Sequence, residues 1–181
     1  MIILGIVVAI GFYAISIYNR LVKNRQMVEE GWSGIDVQLK RRTDLIPNLM
    51  ETVKGYMTHE RELLEQITEL RSRAQGAANA PPGERRPIEA ALSGALGRLF
   101  AVVENYPDLK ANQNFMEFQA ALSEIEDQIQ LSRRYYNGAT RNLNILVESF
   151  PSNLVASMFK FQKSDYFEID ETDRATPQVA F

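Results

Sequence analysis

Apolar and charged residues divide this chain into two parts. Residues 1–19 carry no charged side chain, and the first one is Arg20. As a helix, residues 1–18 would span about 27 Å at roughly 1.5 Å per residue, close to the ~30 Å hydrocarbon core of a bilayer. Beyond them, charged and apolar residues recur with the spacing of amphipathic helices. The pattern predicts a transmembrane anchor over 1–19 and a water-facing helical body.

The body opens with a heptad pattern from Leu21 to Ala74, the spacing of helices packed side by side. The pattern keeps its phase through Pro47, which has no backbone N–H to donate. Because a loop would be free to lose the register, we predict one long helix kinked at Pro47. The alternative is two helices, the second capped by Asp44. The two sets of heptad positions are Leu21, Val28, Ile35, Leu49, Tyr56, Leu63 and Leu70, and Trp32, Leu39, Ile46, Val53, Ile67 and Ala74.

The first clear interruption of the pattern is residues 76–87, which combine small residues, glycine and adjacent prolines. This composition predicts a connection between helices. Because proline suits the first turn of a helix, we predict that Pro87 begins the next helix, which runs to about Asn105. The Tyr106-Pro107 step then ends it.

A second long heptad pattern follows the polar residues 108–114 and covers 115–150. Pro151 closes the helix that this pattern predicts. Ser152 is suited to cap a short amphipathic helix over 153–161, since its hydroxyl can accept from a backbone N–H of the first turn. The apolar side of this short helix consists of Met158, Phe159 and Phe161.

No stretch of the chain shows a convincing period of two, so we predict an all-α fold. The architecture expected is an elongated antiparallel helical bundle of three to four long helices, preceded by one N-terminal transmembrane helix. We assign residues 1–19 to the anchor and residues 20–163 to the bundle. Residues 164–181 contain five acidic residues against one basic residue, Arg174, which predicts a disordered acidic tail.

A cleaved signal peptide is disfavoured, because no basic residue precedes Arg20 and no Ala-x-Ala site follows the apolar run. A core helix or a cleaved segment is the remaining alternative to a retained span. Arg20, Lys23 and Arg25 flank the span, so the positive-inside rule favours an outside N-terminus and a cytoplasmic body. A periplasmic body remains the alternative. Arg20 is placed to snorkel toward the headgroups.

Composition argues against several functional classes. The net charge of −3 disfavours a general nucleic-acid binder. The chain has no cysteine, which removes thiolate nucleophiles and cysteine-based metal sites, and its one histidine, His59, lacks the Glu-x-x-His pairing of a di-iron bundle. We therefore expect no catalytic residues, no metal and no cofactor.

Two polar residues, Arg42 and Glu60, occupy heptad positions where leucine would be more stabilising. Polar residues at such positions commonly fix register or partner, and Glu126 or Arg133 on the second long helix are candidate partners. Alternatively, Pro47 shifts the phase locally and leaves Arg42 at the surface.

The pair Arg133-Arg134 precedes Tyr135-Tyr136. Because Tyr136 falls at a heptad position, we interpret this run as a solvated basic edge beside a core tyrosine, in preference to a phosphate or nucleic-acid site.

Several segments of the chain carry a resemblance to a known family. They are Tyr18-Asn19-Arg20-Leu21-Val22, Trp32 to Arg42, Asp44-Leu45-Ile46-Pro47-Asn48-Leu49, Thr52 to Tyr56, Glu104-Asn105-Tyr106-Pro107-Asp108-Leu109-Lys110-Ala111-Asn112, Arg133 to Asn137, and Glu148 to Asn153. In these segments the chain resembles the LemA family over nearly its whole length. The departures are Gly34, where a polar residue is more usual, and Thr43, where a histidine is expected. The resemblance implies a bacterial inner-membrane protein with one N-terminal span, a helical-bundle domain and no established enzymatic activity; a related, magnetosome-associated branch suggests membrane organisation.

The leading functional hypothesis is a membrane-anchored, non-enzymatic scaffold that self-associates and organises or remodels the membrane. The alternative is an adaptor that presents its bundle or its acidic tail to a protein partner. The expected partners are the lipid bilayer, further copies of the chain and a membrane protein, but not nucleic acid. Met158, Phe159 and Phe161 are the expected oligomer or lipid contacts.

Overall fold

The computed structural model describes residues 1–167, which form six α-helices and no strand. The predicted all-α fold is therefore confirmed. The helices are α1 (Ile2–Lys54), α2 (Arg61–Gly76), α3 (Pro82–Val103), α4 (Pro107–Lys110), α5 (Gln113–Glu148) and α6 (Ser152–Met158).

α1 continues through Pro47, as the retained heptad phase predicted. Proline cannot donate to the carbonyl four residues earlier, which here belongs to Thr43. That carbonyl instead accepts a hydrogen bond from Arg71 Nε at 3.0 Å. A side chain of α2 thus replaces the missing backbone donor, and the helix tolerates the proline. Asp44 lies exposed inside α1, so the alternative in which it caps a second helix is wrong.

The helix does not continue to Ala74, and this part of the prediction is wrong. α1 ends at Lys54, where the N–H groups of Tyr56 and Met57 both donate to the Val53 carbonyl, at 3.0 and 2.9 Å. The turn over residues 55–60 contains glycine, threonine and histidine, which are weaker helix formers than alanine or leucine. It also shifts two buried positions by one residue, from Tyr56 to Met57 and from Leu63 to Leu64.

α3 begins five residues before the predicted start. Pro82, and not Pro87, occupies the first helical position, and Pro87 lies inside the helix. A proline does begin the helix, as expected, but the sequence has several prolines close together and the pattern did not show which of them begins it. The earlier start places Arg85 within a helix, where it is buried.

The chain packs as two compact units. Unit 1 comprises residues 1–35 and 130–166, and unit 2 comprises residues 36–129 with Phe167. Unit 2 holds a hydrophobic core built from α1, α2, α3 and α5, in which Ile46, Leu49, Val53, Ile67, Leu92, Ala95, Leu99 and Phe115 are among the fully or almost fully buried side chains. The predicted heptad positions 46, 49, 53 and 67 therefore do face a core.

In unit 1, α1 and α5 run antiparallel. A Cβ built on Gly31 would lie 3.0 Å from Tyr136 Cα, and one built on Gly34 would lie 3.8 Å from Ser132 Oγ. Rising residue numbers on α1 thus meet falling numbers on α5. The buried residues at this contact include the heptad positions Leu21, Val28, Ile35, Tyr136, Ala139 and Leu143.

The chain beyond α6 is held against α5 in unit 1. Asn144 donates from Nδ2 to the Ser164 carbonyl and accepts from the Ser164 N–H at Oδ1, both at 2.9 Å. The Tyr136 hydroxyl donates to the Asp165 carbonyl at 2.7 Å. The first residues of the predicted tail are therefore packed, while 168–181 lie outside the described residues.

α6 begins one residue earlier than predicted and lacks the predicted cap. Ser152 is its first helical residue, and its hydroxyl donates to the Ser149 carbonyl at 2.9 Å. The side chain therefore bonds backward to the preceding turn and accepts nothing from the first turn of α6.

The glycine contact in unit 1 yields a matched pair of substitutions. Gly31→Ala places a methyl group against the Tyr136 backbone, which cannot move without displacing its part of α5. We therefore expect a loss of about 1–3 kcal/mol of unfolding free energy. Gly34→Ala meets only ordinary contact distances, and we expect a gain of about 0.5–1 kcal/mol from helix propensity. Urea unfolding of the full chain in detergent, followed by circular dichroism, measures both. Equal effects at the two sites would contradict the close approach.

The Thr43 carbonyl provides a double-mutant test in unit 2. Arg71→Met leaves this buried carbonyl without its donor and is expected to cost about 1–3 kcal/mol. Pro47→Ala restores the backbone N–H, so the same arginine substitution in that background should cost markedly less. Arg73→Met, at an exposed position of the same helix, is the control. Identical costs of Arg71→Met in both backgrounds would show that Arg71 does not replace the missing backbone donor to the Thr43 carbonyl.

Candidate functional site

The first part of α1 is the segment suited to a membrane. Its most apolar window has a mean hydropathy of 2.1, and 6% of that window is buried by protein. By length and composition this helix is able to cross a membrane. Protein packing begins at its end, where Ile17 is 5% exposed. Arg20 is exposed just beyond the apolar segment.

An aromatic cluster surrounds the end of the apolar segment in unit 1. The ring of Tyr18 lies 4.7 Å from that of Phe159 and 5.9 Å from that of Phe161, centroid to centroid. The Arg25 guanidinium lies 5.3 Å from the centroid of the Phe161 ring, within cation–π range. The two phenylalanines, predicted as oligomer or lipid contacts on the short helix, lie beyond its end at Met158. Both contact Tyr18 of α1.

Lys160 gives these two phenylalanines their positions. It has φ 58°, a left-handed conformation that costs a non-glycine residue on the order of 1 kcal/mol. The Phe161 N–H donates to the Ala156 carbonyl at 2.9 Å, and the Lys160 N–H donates to the Ser157 carbonyl at 3.2 Å, the two bonds of a Schellman motif. The reversal of the chain at Lys160 allows the residues on both sides of it to contact Tyr18.

A buried ion-pair network lies in unit 2. Arg42, on α1, is 2% exposed and donates from Nη1 to Ser93 Oγ at 2.5 Å and to Glu126 Oε2 at 3.0 Å. Its Nη2 donates to Glu89 Oε2 at 2.7 Å and to the Glu89 carbonyl at 3.3 Å. The interpretation that Arg42 lies at the surface is therefore wrong. One guanidinium connects α1, α3 and α5.

The Glu89 carboxylate joins Arg42 to a second buried arginine. Arg85 donates from Nε to Glu89 Oε1 at 3.1 Å, and from Nη1 to Asp36 Oδ1 at 2.5 Å and to the Ala78 carbonyl at 3.1 Å. Arg85 is 2% exposed and Glu89 is 4% exposed. Each of these buried charges has an oppositely charged partner, which offsets the desolvation that burial imposes. Within residues 1–167, no three His, Cys, Asp or Glu side chains form a group that could hold a metal ion.

The second polar heptad residue, Glu60, has a different partner. It is half-buried and accepts a hydrogen bond from the Tyr106 hydroxyl at 3.3 Å. The pKa of Tyr106 is raised, first by burial and then by the negative charge of Glu60. Pro107 begins α4 directly after this tyrosine.

Tyr136 is the buried tyrosine that the heptad pattern predicted. Its ring lies 5.6 Å from that of Trp32, centroid to centroid, and the residue is 2% exposed. Burial raises the pKa of Tyr136, and the negative charge of Asp165 also raises it. The neighbouring Arg133 is half-buried and Arg134 is exposed. Asn48, also a predicted site residue, is exposed on α1, where its carbonyl accepts from the Thr52 hydroxyl at 3.0 Å.

Sequence reasoning missed three of the four ion pairs in the network. Arg85 was assigned to a connection, so its burial was not foreseen, and Glu89 and Asp36 were not singled out. The signal available was the i,i+4 spacing of Arg85 and Glu89, which becomes visible only when the helix is started at Pro82. The pair between Arg42 and Glu126 was among those that the heptad pattern suggested.

The network predicts that removing one of its buried charges costs more stability than breaking an exposed ion pair. Arg42→Met leaves the buried Glu89 carboxylate with fewer partners and is expected to cost about 3–5 kcal/mol of unfolding free energy. Arg61→Met breaks an exposed pair with Glu65 and serves as the control, with an expected loss under about 1 kcal/mol. Denaturant unfolding in detergent measures both. A loss at Arg42 as small as that at Arg61 would show that the network does not stabilise the fold.

Comparison with known proteins agrees with the resemblance that the sequence motifs indicate. The LemA family model matches residues 31–181. Protein LemA of Metamycoplasma hominis is 29% identical, over 86% of this chain and 71% of that protein. Magnetosome protein MamQ 2 of Paramagnetospirillum magneticum is 26% identical and magnetosome protein MamQ of Magnetospirillum gryphiswaldense is 23% identical, each over 90% of this chain and 70% of the relative. Since the family match covers most of its length, this chain belongs to the LemA family.

Proposed function

We propose that this protein is a non-enzymatic helical scaffold anchored in the bacterial inner membrane, which self-associates and organises or remodels that membrane. One observation carries the proposal: the apolar segment and the buried positions that follow it in unit 1 belong to a single unbroken helix. Ile17 and Leu21 are both buried, at 5% and 0% exposure, so packing begins before the apolar segment ends. The anchor is therefore part of a packed unit and not a tether attached to it.

This continuity has a mechanical consequence. A flexible linker would separate the tilt of the span from the orientation of the body. Here a change of tilt moves unit 1 with it, because the helix has no breaker between the apolar segment and the buried positions 21, 28 and 35. Copies that associate through their bodies would then impose a common tilt on their anchors. A tilt that the assembly sets, instead of the bilayer thickness, produces hydrophobic mismatch, to which the bilayer responds by thickening or thinning locally.

Three further points support the proposal. Arg20, Lys23 and Arg25 favour a cytoplasmic body. In unit 2 the buried Glu89 carboxylate is paired with both Arg42 and Arg85, which suits a structural role. Two relatives are named as magnetosome proteins, and a part in organising a membrane compartment is consistent with those names.

Reconstitution of the full chain tests the proposal. We expect size-exclusion chromatography with light scattering to show an oligomer in detergent, and electron cryomicroscopy to show altered curvature of vesicles that contain the protein. A short Gly-Ser insert between Asn19 and Arg20 breaks the helix and is expected to abolish the change in curvature while the body remains folded. A monomer at high concentration would exclude self-association, and unchanged remodelling by the insert variant would exclude the rigid connection.

Membrane orientation is accessible because the chain contains no cysteine. A single cysteine at Ser123, which is exposed on α5, should resist a membrane-impermeant maleimide in spheroplasts with an intact inner membrane, and one at Ile2 should react. The reverse labelling would place the body in the periplasm.

A further inference from the structure

In the short helix α6, small residues face the protein and large apolar residues face outward, which is the opposite of the usual arrangement for a helix of a protein in water. Its inward residues are small: Ser152 and Ala156 are 7% and 1% exposed. Its outward residues are large and apolar: Leu154 and Met158 are 60% and 77% exposed. Phe150, four residues before Leu154, is 80% exposed. Leu154 and Met158 are four residues apart in α6 and therefore lie on one side of it. We call these two side chains, with the exposed Phe150 that precedes the helix, the α6 apolar face.

The α6 apolar face lies at the level where the anchor leaves the membrane. The contact between Gly31 and Tyr136 relates the two antiparallel helices in unit 1. From that contact, Tyr18 is about 20 Å along α1, and the end of α5 is about 18 Å along α5 in the same direction, at about 1.5 Å per residue. The contacts of Phe159 and Phe161 with Tyr18 independently place the other end of α6 at this level.

The residues around this level carry a net positive charge, whereas the whole protein carries a net negative charge. Residues 17–25 and 148–163 carry five basic side chains, Arg20, Lys23, Arg25, Lys160 and Lys163, against one acidic side chain, Glu148. The whole chain has a net charge of −3. Basic residues beside a span and beside an amphipathic helix attract anionic headgroups.

We propose that the α6 apolar face, together with Phe159, inserts into the headgroup–acyl boundary of the leaflet from which α1 emerges, and that it prefers an anionic phospholipid surface. The bilayer is the occupant that the position demands, since the face adjoins the helix that crosses it. The surrounding basic residues match anionic lipid in charge, whereas the same face of a second copy would bring like charges together. This second membrane contact goes beyond the anchor and does not depend on self-association.

The contact would limit the rotation and tilt of the anchor. A single span is free to rotate about its axis. A span that has a second contact with the membrane surface on one side has one preferred rotational orientation. Phe159 and Phe161 transmit this restriction, because both contact Tyr18 directly.

Spin labels on single cysteines in the full chain test the proposal in liposomes. The labelled positions are Leu154→Cys and Met158→Cys, both exposed, so the fold is expected to tolerate them. Leu131→Cys is the matched control, since Leu131 is an apolar residue of unit 1 that is 52% exposed and lies farther along α5 from this level. Phe12→Cys, in the apolar segment, is the reference for lipid. Collision with oxygen reports lipid, and collision with a water-soluble nickel chelate reports water.

The expected result is that labels at 154 and 158 favour oxygen, as at position 12, while the label at 131 favours nickel. In vesicles with phosphatidylglycerol the labels at 154 and 158 should lie deeper than in phosphatidylcholine alone. Nickel-favoured accessibility at both α6 positions would overturn the proposal. Protection from both reagents with dipolar broadening between labels would assign the face to a second copy and also overturn it. Equal depth in the two lipids would remove the preference for anionic lipid.

Discussion

The close approach of α1 and α5 at Gly31 determines how unit 1 is arranged. A side chain at this position would meet the Tyr136 backbone, so only glycine permits the contact without displacement. Once the helices meet there, their common rise determines which residues of α5 reach the level of the anchor. The α6 apolar face and the aromatic cluster around Tyr18 then follow from chain connectivity. The features that we propose to face the membrane thus depend on a contact about 20 Å away from them.

Unit 2 depends on a different kind of interaction. Its core contains the buried charges of Arg42, Arg85 and Glu89, which an apolar core of the same volume would replace at little or no cost in stability. The benefit of such a network is specificity, because Nη1 and Nη2 of Arg42 reach all their acceptors only when α3 and α5 present Glu89, Ser93 and Glu126 together. We interpret the network as a means of fixing the mutual register of three helices whose apolar surfaces alone would permit sliding.

The errors in the sequence interpretation have a common origin. The heptad pattern identified the buried positions of α1 through Val53 and those of α5 because periodicity reports which side of a helix is apolar. It did not detect the turn at 55–60, since a turn that nearly preserves the phase leaves the period intact. It also could not show why α1 tolerates Pro47, because the donor to the Thr43 carbonyl is Arg71, distant in sequence and brought close only by the packing of α2.

The sequence by itself determined the uncharged segment, the all-α fold, most of the buried helix faces and the family, because each depends on composition, periodicity or local motifs. The tertiary structure decided which polar residues are buried together and which apolar residues remain exposed. Arg85 entered the network only through packing, and Leu154 and Met158 were left outside by the orientation of α6. The physical reason is that the partner of a side chain, whether protein, water or lipid, depends on the mutual placement of helices, which periodicity along one helix does not specify.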